Sequence, residues 1–240
     1  MTAGSSTPTV VLVHGAFADA SGYAGVIREL QSAGVAVQAP PVPLRGVAFD
    51  ASSISAHVSA IDGPVVLVGH SYGGAVITQA SAGLDNVVGL VYLAAFGLDV
   101  GESVESVQKP FEPSLLATNG RATPYDAIGA VGGPDLYIDP ATFRETFCAD
   151  LPADLAAVMA VSQRPVAAAT LSEECTSAGW RTKPASYLIS AYDRAINPDA
   201  ERFMGERMGG TVDTINASHV AFISRPVATA EFVLAALAGL

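Results

Sequence analysis

The feature that most restricts the fold of this chain is a serine held between two glycines at the end of an apolar run. Residues 65–68 are all aliphatic, which predicts a short buried strand. The small and apolar residues 75–80 predict the beginning of a helix. Ser71 lies between them with a glycine two positions away on each side, so the chain must turn sharply where a Cβ atom would strike neighbouring backbone. The pattern predicts a serine hydroxyl exposed above a sheet edge, with the Tyr72 N–H pointing into the same space.

Short apolar runs and helical patterns alternate through most of the chain. Further runs predict strands at residues 9–13, 35–39, 87–93, 185–190 and 211–215. Helical spacing and cap residues predict helices at residues 19–33, 52–61, 75–83, 197–208 and 226–238, with a loop at residues 40–49. Strands that alternate with helices through right-handed crossovers form a parallel sheet covered on both faces. The sequence therefore predicts an α/β fold with a mostly parallel, doubly wound sheet.

The alternation stops between the fourth and fifth predicted strands, where prolines are frequent and only helical pieces such as residues 150–163 stand out. We expect residues 1–96 and 185–240 to form the core and residues 97–184 to form a cap inserted after the strand that follows the serine helix. Candidate walls of a substrate pocket under this cap are large apolar side chains: Phe17, Phe111, Tyr125, Met159 and Trp180. For those within the cap, packing in the core of the cap is the alternative.

A serine hydroxyl becomes an effective nucleophile only when a base takes its proton and an acid orients that base. The chain has four histidines: His14, His57, His70 and His219. His57 falls inside a predicted helix, and His70 adjoins the serine, where its side chain should point elsewhere. Only His219 follows the last predicted strand, so we expect it to be the base for Ser71. A buried structural histidine is the alternative.

The orienting acid is expected at Asp193, directly after the predicted strand 185–190. The order Ser71, Asp193, His219 then puts each of the three residues after a different strand, at one edge of a parallel sheet. The rival acids are carboxylates near other element ends: Asp99, Asp199 and Asp213. We expect the neighbouring Arg194 to be a surface residue.

A reaction at a carbonyl also needs donors for the oxygen that becomes negatively charged. The first predicted strand ends at His14 and Gly15, where a sharp turn leaves the Ala16 N–H free. We expect the Ala16 and Tyr72 amides to form this oxyanion hole. His14 itself is expected to brace the loop rather than to transfer a proton.

Composition excludes several other functions. The net charge is −11 with only 12 Lys and Arg, which argues against a nucleic-acid partner. Residues 1–8 lack the basic and apolar regions of an export signal, and no apolar run has membrane-spanning length, so we expect a cytoplasmic protein. Cys148 and Cys175 fit free thiols in a reducing compartment, although a disulfide between them stays open. No metal-ligand spacing and no nucleotide fingerprint is present in the sequence, so we expect no metal and no cofactor.

Four motifs carry a resemblance to a known family: His14-Gly15-Ala16-Phe17, Gly69-His70-Ser71-Tyr72-Gly73-Gly74, Asp193-Arg194-Ala195-Ile196 and Ser218-His219. Together they resemble the α/β-hydrolase superfamily over essentially the whole chain. More narrowly, they resemble the branch with the plant methyl-salicylate and other methyl-ester esterases, the plant hydroxynitrile lyases and many small bacterial esterases. The resemblance implies the α/β-hydrolase fold, a triad of Ser71, Asp193 and His219, and oxyanion donors at Ala16 and Tyr72.

Two departures from that branch bear on the reaction. The plant-type lyases carry a threonine where this chain has Gly15, and a lysine directly after the base, where this chain has Val220. Both departures count against a cyanohydrin lyase and for a hydrolase.

The sequence thus predicts a serine hydrolase that cleaves a small carboxylic ester through an acyl-enzyme intermediate. Lactone or amide hydrolysis, perhydrolysis and lyase chemistry with the same triad are alternatives, as is non-catalytic binding of a small molecule. The oligomeric state stays open, with a homodimer among the alternatives.

Overall fold

A parallel sheet forms the centre of the protein. The structure is a computed structural model that describes residues 7–125 and 133–240. The nine strands within these ranges are β1 (Thr9–Val13), β2 (Val37–Gln38), β3 (Val65–Ser71), β4 (Val87–Ala95), β5 (Gly120–Thr123), β6 (Asp135–Ile138), β7 (Val166–Ala167), β8 (Ala185–Ser190) and β9 (Thr211–Ile215). Six of the strands described there form the main sheet in the order β2-β1-β3-β4-β8-β9, and every neighbouring pair is parallel.

Helices cover the sheet and connect its strands. Those of the described ranges are α1 (Ala24–Ser32), α2 (Val47–Ser59), α3 (Tyr72–Ser81), α4 (Val104–Gln108), α5 (Leu115–Asn119), α6 (Phe143–Phe147), α7 (Ala153–Ser162), α8 (Pro198–Arg207), α9 (Ala221–Ser224) and α10 (Pro226–Ala238). All seven residues of β3 are buried, as expected for a central strand with helices on both of its faces. The predicted α/β fold with a mostly parallel sheet is confirmed. No helix in these described ranges is both long and apolar enough to cross a membrane.

One difference from the predicted elements concerns α2, and another is the set of strands β5, β6 and β7, which lie where only helical pieces were expected. The sequence predicts a loop at residues 40–49 and a helix at residues 52–61, whereas the helix runs from Val47 to Ser59. The Glu173 carboxylate accepts hydrogen bonds from the N–H groups of Val47 (2.6 Å) and Ala48 (3.0 Å), which have no partner within the helix. The first turn of α2 is thus capped by a residue 126 positions away, and the sequence around residue 47 gives no sign of it. The predicted strand 35–39 is also shorter, at Val37–Gln38.

The chain between β4 and β8 builds a second, smaller layer. Its strands form an antiparallel sheet in the order β5-β6-β7. This sheet is fastened to the loop before α2, because Ala167 N–H donates to the Leu44 carbonyl (3.0 Å) and Arg45 pairs with Asp135 (2.7 Å). The domain boundaries predicted at residues 97 and 184 stay a prediction, and residues 126–132 of the cap, like residues 1–6 of the predicted N-terminal stretch, lie outside the described residues.

Candidate active site

Ser71 lies in a strained turn between β3 and α3. Its backbone has φ 52° and ψ −125°, a left-handed conformation that costs about 1–3 kcal/mol for a residue other than glycine. A Cβ atom at Gly73 would collide with the Val13 carbonyl oxygen, so this position accepts only glycine. The predicted sharp turn around Ser71 is confirmed, and its physical reason is the close approach of α3 to the end of β1.

The Ser71 side chain lines a cavity of about 500 Å³. The walls are mainly aliphatic and aromatic side chains from both the core and the segment between β4 and β8: Phe17, Phe96, Val104, Phe111, Leu116, Leu136, Val166 and Leu171. Three charged residues also line it: Glu105, Lys109 and Glu112. The cavity is therefore large enough for an organic molecule of moderate size and favours an apolar one.

Two of the predicted pocket residues, Phe17 and Phe111, line this cavity, whereas Tyr125, Met159 and Trp180 do not. Tyr125 is exposed and lies under the Arg45 guanidinium, 4.9 Å from the ring centre. Met159 faces a second cavity, of about 330 Å³, between α1 and α7. Trp180 donates its indole N–H to the Leu98 carbonyl (2.7 Å). The residue type alone does not disclose any of these three environments. Phe17 lines both cavities and is the wall that they share.

His219 and Asp193 form a buried pair. The Nδ1 atom of His219 donates to Oδ2 of Asp193 at 2.5 Å, and the two residues are 1% and 5% exposed. The other carboxylate oxygen accepts the N–H groups of Ala195 (2.6 Å) and Ile196 (2.9 Å). Since Nδ1 carries the donated hydrogen, a neutral His219 has its lone pair on Nε2. That atom is buried and has no hydrogen-bond partner among the described residues.

The rival acids lie away from His219. Asp99 forms a bidentate pair with Arg181, with contacts of 2.7 and 2.6 Å. The side-chain hydrogen bonds from Arg181 hold the pKa of Asp99 below its ordinary value. Asp199 and Asp213 are exposed. Among the four candidate acids, only Asp193 contacts a histidine.

His70 and His14 hold loops. His70 Nε2 donates to the His219 carbonyl (3.0 Å), and its ring packs on that of His219 with 4.5 Å between centres. Burial and the neighbouring His219 hold the pKa of His70 well below its ordinary value, so it stays neutral. His14 accepts the Val42 N–H at Nε2 and contacts the Gly15 carbonyl through Nδ1, each at 2.9 Å. Burial lowers the pKa of His14, and the expected bracing role is confirmed.

Ala16 and Tyr72 line the same cavity as Ser71. Tyr72 is the first residue of α3, so its N–H has no carbonyl partner within the helix. The Phe17 N–H is taken by the Arg164 carbonyl (2.9 Å), whereas no hydrogen bond joins the Ala16 N–H to another residue of the described ranges. The oxyanion role of these two amides stays a prediction.

Sequence reasoning missed the carboxyl groups that hold this framework. Asp50 is fully buried in α2 and accepts the Tyr72 hydroxyl at 2.7 Å, which fixes the side chain of this cavity residue. Burial, followed by the neighbouring Asp50, raises the pKa of Tyr72 well above its ordinary value, so the phenol stays protonated. Glu201 is also fully buried, in α8. Its signal in the sequence is its position on the helix face that also carries Ala200 and Met204.

An aromatic ring from the segment between β4 and β8 covers His219. The Phe147 ring, from α6, lies 5.1 Å from the His219 ring, centre to centre, and is itself buried. It also meets the Phe17 ring edge-on at 6.2 Å. The Phe147 ring therefore covers one side of the His219 imidazole and keeps water from it.

Comparisons with known proteins agree with this architecture. The chain is 31% identical over 225 residues to a protein named "Probable hydrolase R7" from Phoma sp., covering 87% of this chain and 84% of that protein. Its fold is similar to that of polyneuridine aldehyde esterase, with a TM-score of 0.83, 18% identity and coverage of 96% of this chain and 99% of that one. It is also similar to the methylesterase MES16 from Arabidopsis, with a TM-score of 0.77, 19% identity and coverage of 97% and 100%. A sequence profile described as "Alpha/beta hydrolase family" matches residues 10–232, and the chain therefore belongs to the alpha/beta hydrolase family.

Proposed function

We propose that this hydrolase cleaves carboxylic esters by nucleophilic catalysis at Ser71. The observation that carries the proposal is the buried hydrogen bond between His219 and Asp193, which leaves the other imidazole nitrogen without a partner among the described residues. A neutral imidazole held in that tautomer is a base, and it needs a hydroxyl to act on. Ser71 belongs to the turn whose preceding residue, His70, packs against the His219 ring.

In the proposed reaction, His219 Nε2 takes the proton of Ser71 as the serine oxygen attacks the ester carbonyl. Asp193 keeps the ring oriented and stabilises the imidazolium that forms. Because Asp193 already accepts two backbone N–H groups, its carboxylate is held in position before the reaction begins.

The Ala16 and Tyr72 amides would bind the oxygen that becomes negative, and a single donor of this kind is typically worth about 3 kcal/mol. The imidazolium then gives its proton to the leaving alcohol, and the acyl group stays on Ser71. A water molecule then attacks the acyl carbonyl while His219 takes its proton. The same proton returns to the Ser71 oxygen as the acid leaves, which restores the serine.

The cavity favours an ester with a sizeable apolar group. Its volume of about 500 Å³ exceeds the need of an acetyl group, and its walls are aromatic and aliphatic. Two of the three charged residues that line it, Glu105 and Glu112, are acidic, and the third is Lys109. The excess negative charge disfavours a substrate that carries a free carboxylate. We therefore propose uncharged esters with an aromatic or medium-length aliphatic acyl group as the substrate class.

The test is hydrolysis of p-nitrophenyl esters from acetate to decanoate by the wild-type protein and by Ser71→Ala in parallel. Turnover in the wild type that disappears in the variant supports the proposal, and the preferred chain length measures the cavity. Labelling by a fluorophosphonate, which requires an activated serine, is recorded on both proteins.

The alternative activities give different results in the same experiment. Labelled Ser71 without turnover of any simple ester would point to lactone, amide, perhydrolase or lyase chemistry, which a substrate panel then separates. The absence of both labelling and turnover would contradict nucleophilic catalysis and favour a binding protein. Full activity in Ser71→Ala would refute the assigned nucleophile.

A further inference from the structure

A second buried carboxyl group lies beside the acid of the proposed triad. Glu201, from α8, is fully buried, and its side chain is within hydrogen-bonding reach of Asp193. One of its oxygens, Oε2, accepts the Ser190 N–H at 3.0 Å. The other, Oε1, is buried and accepts no hydrogen bond from any residue of the described ranges. A buried oxygen that finds no donor but has a carboxylate neighbour is suited to carry a proton and to donate it.

Two adjacent buried carboxyl groups cannot both be ionised, because their repulsion is not screened by water. The pair therefore holds one proton, and the donors around each group decide where it resides. Asp193 accepts three hydrogen bonds, from Ala195, Ile196 and His219, whereas Glu201 accepts one. Every such donor favours the ionised form of the group that accepts it. The hydrogen-bond donors therefore favour Glu201 as the group that carries the proton.

We propose that Glu201 is a positioning residue, kept protonated, whose O–H donates a hydrogen bond to the Asp193 carboxylate and so fixes it against His219. The inference rests on the proposed function, since it gives Asp193 the role of orienting acid. Glu201 does not reach the substrate and acts only through Asp193.

No cationic group of residues 7–125 and 133–240 forms a salt bridge with Glu201. Burial, followed by the charge of Asp193, raises the pKa of Glu201 well above its ordinary value. The strands that pack against α8 contribute these titratable groups: Tyr187 from β8, Tyr92 from β4 and the exposed Asp213 from β9. On α8 itself, Arg202 lowers the pKa of Glu201 only as a smaller, opposing effect, and its residue is exposed.

Two substitutions distinguish the effect of the Glu201 proton from the effect of the side-chain size. In Glu201→Gln, the amide oxygen can accept the Ser190 N–H while the NH₂ group donates to Asp193, so the variant reproduces the protonated acid without being able to ionise. In Glu201→Met, a side chain of similar size has no donor. Glu206→Gln, at an exposed position of the same helix, is the matched control for removing a carboxylate from α8.

The two variants test two properties of Glu201 in turn: Glu201→Met removes its hydrogen-bond donor, and Glu201→Gln keeps a donor but cannot ionise. Glu201→Met should lower kcat by about 10- to 100-fold with little change in KM, the loss that a hydrogen bond to a charged group typically causes. Glu201→Gln should restore most of that turnover. The acid limb of its kcat/KM profile should keep the wild-type midpoint, because a neutral group replaces a neutral group. A merely structural role would not produce this pattern.

A readout independent of activity is infrared spectroscopy of protein labelled with ¹³C-glutamate. At neutral pH, the wild type should show the carbonyl band of a protonated carboxyl group. This band should be missing in Glu201→Gln and present in Glu206→Gln. This band reports the proton even if the protein hydrolyses no ester, so failure of the proposed function and failure of this inference are told apart.

Three results would overturn the inference. One is the absence of the protonated band in the wild type. The second is a shift of the acid limb to lower pH in Glu201→Gln, which would mean that a negative charge beside the imidazolium had been removed. The third is a folded Glu201→Met protein with wild-type kcat, which would show that Asp193 needs no donor from α8.

Discussion

Asp150 accepts two hydrogen bonds from Ser218, the residue that precedes His219. The backbone N–H of Ser218 donates to Oδ2 at 3.2 Å, and its hydroxyl donates to Oδ1. Asp150 lies between α6 and α7, in the segment that covers the site, whereas Ser218 belongs to the loop after β9. Although partial burial favours the neutral acid, the hydrogen bonds from Ser218 hold the pKa of Asp150 below its ordinary value. The carboxylate therefore fastens the cap to the loop of the proposed base.

Removing this carboxylate should loosen His219. We expect Asp150→Ala to lower kcat by about tenfold or more, the effect of losing a hydrogen bond to a charged group, with a smaller effect on KM. Asp154→Ala, at an exposed carboxylate in the first turn of α7, is the control and should retain wild-type kinetics. Steady-state ester hydrolysis by both variants tests this, and equal kcat values in the two would contradict it.

The role of Asp193 is tested by an amide of the same shape. Asp193→Asn removes the charge that stabilises the imidazolium and allows the wrong tautomer of His219, so kcat should fall by about 10⁴-fold. Asp199→Asn, at an exposed position in the first turn of α8, should change kcat little. Single-turnover kinetics with an activated ester would measure both, and a loss of less than tenfold in Asp193→Asn would argue against its assignment.

The buried proton of Glu201 should make stability depend on pH. The ordinary pKa of a glutamate is 4.5, and in the folded protein that of Glu201 is raised well above it. Between these two values only the folded state holds the proton, so unfolding releases it and stability falls as pH rises, by up to about 1.4 kcal/mol per pH unit. Below pH 4.5 both states are protonated and the dependence vanishes.

The measurement is urea unfolding of the wild type and Glu201→Gln between pH 5 and pH 8, a window chosen from the raised pKa of Glu201. The free energy of unfolding of the variant minus that of the wild type should grow with pH, because glutamine has no proton to release. A constant difference across this range would mean that Glu201 is ionised in the folded protein.

The cavity at Ser71 should set the preferred acyl chain. Leu116 lines it and is partly buried, so Leu116→Trp fills part of the volume and should move the chain-length optimum of p-nitrophenyl esters to shorter chains. Val158→Trp, at an exposed position of α7, adds the same side chain outside the cavity and should leave the optimum unchanged. Identical profiles in the two variants would place the acyl group elsewhere.

Gly15 leaves no room for a side chain. A Cβ atom there would lie 2.7 Å from the Ser71 Cβ and 2.9 Å from the His70 carbonyl oxygen. We expect Gly15→Ala to lose about 1–3 kcal/mol of stability through overpacking, and to lose turnover because the clash displaces Ser71. Gly83→Ala, where no atom lies within 4 Å, is the control. Thermal unfolding and ester hydrolysis of both variants are the readouts, and wild-type turnover in Gly15→Ala would show that the turn adapts.

The site was predictable from the sequence where the constraint is local. The turn at Ser71 needs particular residues at fixed spacing, and the buried strand before it is continuous, so the pattern predicts both. The position of His219 after the last strand follows from counting elements along the chain.

The remaining features depend on contacts between distant segments. Ser218 and Asp150 are 68 positions apart, and the cap of α2 comes from Glu173, 126 positions after Val47. Neither pairing has a signature in its own neighbourhood. Met159 and Trp180 have the composition of pocket residues, but which cavity an apolar side chain faces is decided by how the helices pack.

The shared wall at Phe17 has a consequence for how such a protein could diversify. This residue follows Ala16 in the same loop, has φ 62°, and lines both the cavity at Ser71 and the one beside Met159. A substitution at Phe17 would change the walls of both cavities at once while Ser71, Asp193 and His219 keep their identity. One codon could therefore alter the range of accepted molecules while the reactive groups are inherited, so relatives with the same chemistry need not share a substrate.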